Sequence, residues 1–141
     1  MKRIVFLLLL LMSATFVFVS CSKDDDDDVV NNTEEDPRYY VKYEVKITSL
    51  HTGVYRTYTF NTENGEQVEK TKNSSRTTAW EGTYGPVKKG FLAKFTCKID
   101  GSELDNTCQA RIYVSREKEP FVVKAESSGT NKIDISYKID F

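Results

Sequence analysis

The chain has 141 residues, 20 basic and 21 acidic side chains, a formal net charge of −1, three cysteines and one histidine. That length allows one compact domain and not two. No basic run or motif points to nucleic acid, and a lone histidine leaves no Cys/His cluster or HExxH pattern for zinc.

The chain opens with Lys2 and Arg3, followed by an apolar run from Ile4 to Val19 broken only by Ser13-Ala14-Thr15. A basic start, an apolar middle and a small residue before the break are the three parts of a secretory signal, here residues 1–20. The competing reading is a transmembrane helix. It needs about 20 apolar residues, and this run stops short before the five carboxylates Asp24 to Asp28.

Ser20-Cys21 at the end of the apolar run resembles the lipobox of bacterial lipoproteins, with Phe18 standing where an aliphatic residue is usual. The resemblance implies removal of residues 1–20 and acylation of Cys21, a membrane anchor of the multi-chain kind that stable attachment requires. Ser22-Lys23-Asp24-Asp25 looks like the surface-export signal of Bacteroidota lipoproteins, which implies the outer face of the outer membrane. The alternative is a periplasm-facing anchor whose like charges simply hold the spacer open. Calcium binding fits poorly, because adjacent aspartates lack the alternating ligands and turn glycine of a calcium loop.

Residues 21–36 read as the acylated cysteine and an acidic tether, too polar to order itself and able to reach roughly 50 Å. Residues 37–141 form the domain. It carries 17 of the basic and 13 of the acidic side chains, a balance near +4.

Within it, Tyr39 to Leu50 alternates Tyr39, Val41, Tyr43, Val45 and Ile47 with polar residues, the period of a half-buried strand. Val54 to Phe60 predicts a second strand with Tyr58 and Phe60 inward, and Asn64-Gly65 predicts a hairpin returning through a short polar piece around Val68. Thr77 to Tyr84 carries Trp80, read as core, and Gly85-Pro86 is expected to break that strand. Phe91 to Ile99, Cys108 to Val114, Phe121 to Ala125 and Ile133 to Phe141 complete the set. The predicted inward residues include Tyr43, Val45, Ile47, Phe95, Ile112, Val123, Ile135 and Tyr137. The expected fold is an all-β, antiparallel, immunoglobulin-like β-sandwich of seven to eight strands.

If strands 91–99 and 107–115 form a hairpin, Phe91 meets Val114, Ala93 meets Ile112, Phe95 meets Ala110, and Cys97 meets Cys108. An exported protein usually oxidises such a pair. The alternative is a reduced pair packed as small hydrophobes, since directly opposed strand residues strain a disulfide.

Catalysis finds little support. His51 falls in a predicted turn, no Gly-x-Ser-x-Gly elbow is present, and carboxylates such as Glu63, Glu66, Glu81 and Glu103 fall in turns or on solvated faces. A small carbohydrate-active enzyme is therefore the weakest reading, and no cofactor is implied. Tyr40, Tyr55 and Tyr113 fall opposite the inward positions, where aromatics stack on sugars or anchor a protein partner, or simply serve as favoured strand residues.

Tyr43-Glu44-Val45, Gly90 before an alternating strand, and Arg111-Ile112-Tyr113-Val114 look like the small immunoglobulin-like lipoproteins of Bacteroidota. The layout is also similar to the MmpS family of membrane-anchored transport accessory proteins. These resemblances imply a surface module binding a glycan or protein, or an accessory to an envelope transporter, and no catalytic residues.

Overall fold

The computed structural model describes residues 36–48, 53–75, 77–100 and 105–141. The predicted signal, Cys21, Ser22, Lys23, Asp24, Asp25, His51 and Glu103 lie outside the described residues. Eight strands follow in order: β1 (Tyr39–Thr48), β2 (Tyr55–Thr62), β3 (Gly65–Lys72), β4 (Thr78–Val87), β5 (Leu92–Asp100), β6 (Thr107–Arg116), β7 (Val122–Thr130) and β8 (Lys132–Lys138). They build two antiparallel sheets, ordered β4-β1-β6-β7 and β3-β2-β5-β8. Stacked face to face, these make an all-β sandwich. It shares the two-sheet architecture of immunoglobulin domains, with four strands per sheet in place of their ABED and CFG arrangement.

The four inner strands carry the clearest alternation, because each has one face in the core and one in water. Tyr39, Val41, Tyr43, Val45 and Ile47 of β1 are all buried, and so are Ala93, Phe95, Cys97 and Ile99 of β5 and Cys108, Ala110, Ile112 and Val114 of β6. Of the edge strands, β8 keeps it with Ile133 and Ile135 inward, and β3 loses it. All eight residues of β3 are exposed, so the piece around Val68 is a full strand held by its ladder to β2. The Asn64-Gly65 hairpin forms as predicted, with Thr62 opposite Gly65 and a left-handed φ of 97° at the glycine.

Three expectations are corrected. First, β5 and β6 do not pair. β5 lies between β2 and β8, and β6 between β1 and β7, so the link between them crosses from one sheet to the other. Phe95 is opposite Phe60 and Ile135, while Ala110 is opposite Val45. Alternation fixes which residues face inward, and the same inward list is satisfied by any neighbour.

Second, Gly85-Pro86 does not end β4, which runs on to Val87. β4 is an edge strand, where a missing N–H is tolerated, and a register shift opposite Tyr39 to Val41 absorbs the extra residue. Third, Val123 and Phe121 are 46% and 40% exposed and so not core. A bulge between Ile112 and Tyr113 turns Val123 to the outer face beside Tyr113. Ala125 and Tyr137 are half-buried against the core, and Trp80 packs there as predicted.

Phe95 contacts rings from both sheets, and Ile112 is fully buried. Replacing Phe95 by alanine is expected to cost about 3–5 kcal/mol and Ile112 about 2–5 kcal/mol. Urea unfolding of the two variants checks this; losses below about 1 kcal/mol would contradict their place at the sheet interface.

Candidate functional site

The three outward tyrosines divide between the two sheets. Tyr40 (β1) and Tyr113 (β6) share the outer face of the β4-β1-β6-β7 sheet, on neighbouring strands, where Lys42 is opposite Tyr113. Tyr55 (β2) lies on the outer face of the other sheet. These three tyrosines therefore form no continuous row.

Around Tyr113 the fold gathers residues that the sequence pattern had placed inside. The Lys42 ammonium sits 4.4 Å from the centre of the Tyr113 ring and 5.9 Å from that of Phe121. Val123 is opposite Tyr113 on β7. At the open edge beyond it, the Lys124 ammonium lies 3.9 Å from the centre of the Phe141 ring. The signal for this corner was available in Pro120-Phe121-Val122-Val123: three consecutive apolar residues cannot all point into a core from one strand.

The corner adjoins the point where the chain enters the domain. Tyr39 pairs with Arg116, the Tyr39 hydroxyl donates to the Phe141 carbonyl, and the Glu117 N–H donates to the Arg38 carbonyl. Arg38, Tyr40, Glu117 and Lys118 line a shallow hollow of about 260 Å³ here.

Further along the same face the character changes from apolar to ionic. Arg111 bonds Glu126 through Nε and Nη2 at 3.0 and 2.9 Å and lies 3.6 Å from Glu44, which accepts a hydrogen bond from the Tyr113 hydroxyl. The hydrogen bonds with Glu126 raise the Arg111 pKa, and those from Arg111 hold the Glu126 carboxyl below its ordinary range. Arg111 thus lies between two carboxylates, and this stretch of the face is ionic where the stretch around Phe121 and Val123 is apolar.

A second concavity of about 490 Å³ lies at the open edge between β3 and β4, lined among others by Phe60, Tyr84, Glu63 and Gln67. Glu69, also on its rim, accepts the Trp80 indole hydrogen at 2.9 Å. This contact ties the Trp80 indole of β4 to β3. The exposed Glu63, Glu66 and Glu81 are solvated surface carboxylates.

Cys97 and Cys108 face each other across the core from opposite sheets, both buried and both free thiols. The Cys108 thiol donates to the Asn106 carbonyl at 3.9 Å; the neighbouring Cys108 thiol and burial push the Cys97 thiol far up. The Tyr58 hydroxyl is buried without a protein partner, and desolvation raises its pKa to about 12. Desolvation likewise raises Tyr43 and Tyr84.

For a tyrosine whose folded pKa exceeds its unfolded value, the native state holds a proton that the unfolded chain releases, so stability falls as pH rises. The domain is therefore expected to lose up to about 1.4 kcal/mol per pH unit above about pH 10 for each of the buried Tyr43 and Tyr58, the Tyr58 contribution levelling off near pH 12. Denaturant unfolding at rising pH measures this, and a flat profile would contradict it. Tyr58→Phe is expected to make the slope shallower. No protein family, no curated protein and no solved structure matches this chain.

Proposed function

We propose that the protein is a lipid-anchored, surface-exposed binding module of the outer membrane with no catalysis of its own. On this reading it is held by an acylated Cys21, directed outward by Ser22, Lys23, Asp24 and Asp25, and docked to an envelope protein through the Tyr113 corner. The observation that carries the reading is the corner itself. Phe121 and Val123 are exposed beside Tyr113 and Lys42, with Val122 and Phe141 exposed at the adjoining edge, and exposed apolar residues brought near one another mark an interaction surface where scattered ones do not. Its position favours a partner in the same membrane, because the chain joins the domain at this end and a tether brings this end nearest the lipid. A transporter as that partner would make the protein an accessory of the kind the MmpS resemblance implies.

The test is affinity purification of the lipidated protein from native membranes, beside a Phe121→Ser/Val123→Ser variant. The expected result is a mature N-terminus at acylated Cys21 by mass spectrometry and an envelope partner retained by the parent and lost from the variant. An N-terminus elsewhere removes the anchor. A partner held equally by both forms removes the corner.

Export would also supply an oxidant for Cys97 and Cys108, and their approach across the core supports a bond between sheets in place of the cross-strand pairing that strains one. It would close a loop of 12 residues and stabilise the fold by about 3 kcal/mol in the chain-entropy description. Reduction is then expected to lower the melting temperature while leaving the β-rich circular dichroism intact. Two free thiols titrated in protein from the oxidising compartment would count against the bond.

A further inference from the structure

The domain's positive balance is not spread evenly. On the outer face of the β3-β2-β5-β8 sheet, the registers bring together Lys70, Lys72, Lys94, Lys98, Lys132 and Lys138 against only Glu66, Asp100 and Asp134. The opposite outer face is neutral, with Lys42, Lys46 and Arg111 against Glu44, Glu81 and Glu126. These lysines lie far apart in the chain, so only strand pairing makes them a surface.

They are ordered as well as numerous. Lys70, Thr57, Lys98 and Lys132 stand directly opposite one another across all four strands, a row about 14 Å long at the usual strand spacing. Lys98 and Lys132 are like charges in direct opposition, an arrangement that works against the sheet, and each leans on a neighbouring carboxylate, Asp100 at 2.7 Å and Asp134 at 2.8 Å. Beside the row lies Tyr55, 43% exposed. Its ring centre is 5.0 Å from the Lys70 ammonium and 5.9 Å from that of Lys72. Asp100 is opposite Tyr55 on the other side and accepts a hydrogen bond from Thr57 at 3.3 Å.

We infer that this face binds an acidic polysaccharide, a polymer of sugar rings bearing carboxylates. The Tyr55 ring offers a flat surface to one sugar ring. Asp100 and Thr57 offer hydrogen-bond partners to hydroxyls, and the lysine row meets carboxylates on the rings that follow. Lys70 leaves the tyrosine face at little cost, since an exposed cation–π contact is weak. A flat lysine surface without an aromatic suits any polyanion; the tyrosine beside the row favours a ligand with a ring to stack.

Position supports the same occupant. Chain entry and the Tyr113 corner lie at the Leu92 end of β5, where Leu92 is opposite Lys138, whereas Tyr55 is opposite Asp100 at its other end. The two are about 25 Å apart along the strand. That places the row at the end away from the chain entry. The inference does not depend on the corner, since the two surfaces lie on opposite sheets.

The experiment uses the full chain carrying Cys21→Ser, with polygalacturonate as the probe and neutral dextran as its control. Binding to polygalacturonate and not to dextran is expected, with loss at about 0.5 M salt, where screening is shorter than the spacing of the row. Lys70→Gln/Lys98→Gln/Lys132→Gln is expected to weaken binding about tenfold or more, and Tyr55→Ala about fivefold, both with unchanged melting temperature. No binding, or equal binding by the triple variant, would overturn the proposal. So would a Tyr55→Ala form that binds polygalacturonate, single-stranded DNA and phosphatidylglycerol vesicles alike, which would mean charge alone. Binding that appears only after Asp24 to Asp28 are changed to asparagine would assign the row to the acidic segment instead.

Discussion

The sandwich depends on rings that meet between its sheets. Tyr43 from β1 and Trp80 from β4 lie nearly parallel to Phe95 from β5, at 5.8 and 5.5 Å, while Trp80 also stacks on Tyr58 at 5.0 Å and Tyr84 packs on Phe60 at 4.9 Å. Large rings bury much apolar area with few rotatable bonds, and they fix the distance between the layers. The packing dictates small residues elsewhere. The Tyr84 hydroxyl lies where a side chain on Gly82 would begin, 2.6 Å from the position of a Cβ, so a larger residue at 82 would push the Tyr84 ring from its place.

Much of this was legible in the chain, for reasons that differ from strand to strand. β1 is buried on one face along its whole length, so its alternation was complete and its core list correct. β3 buries nothing and left only its hairpin, Asn64-Gly65, to announce it. The β5–β6 pairing was misread because period two carries facing but no partner. With a connection long enough to change sheets, Cys97 and Cys108 stayed on the core face while their strands parted. Of the candidate site, Tyr40 and Tyr113 were found from their parity. Phe121 and Val123 were missed because a bulge, which parity cannot foresee, shifts β7 by one residue. The lysine row was invisible for a related reason: Lys70, Lys98 and Lys132 become neighbours only through three separate registers.

The two outer faces thus have opposite character and opposite placement. One is neutral overall and apolar at the end where the chain enters. The other is cationic, with its single exposed tyrosine at the far end. A thin sandwich suits this division, because its sheets are set about 10 Å apart and side chains on one outer face do not reach the other. Substitutions on either surface leave the ring packing between them untouched.

The place of β1 has a mechanical meaning. It is an inner strand, laddered to β6 from Tyr39 to Thr48 and to β4 from Tyr39 to Ile47, and the hydroxyl of its first residue, Tyr39, bonds the Phe141 carbonyl. Any pull transmitted along the preceding chain reaches the domain at the tip of this strand and acts along its length. Both ladders are then loaded in shear, with many backbone hydrogen bonds sharing the force at once. An edge strand pulled from its end would open one bond after another, like a zipper. A domain entered through an inner strand resists tugging collectively.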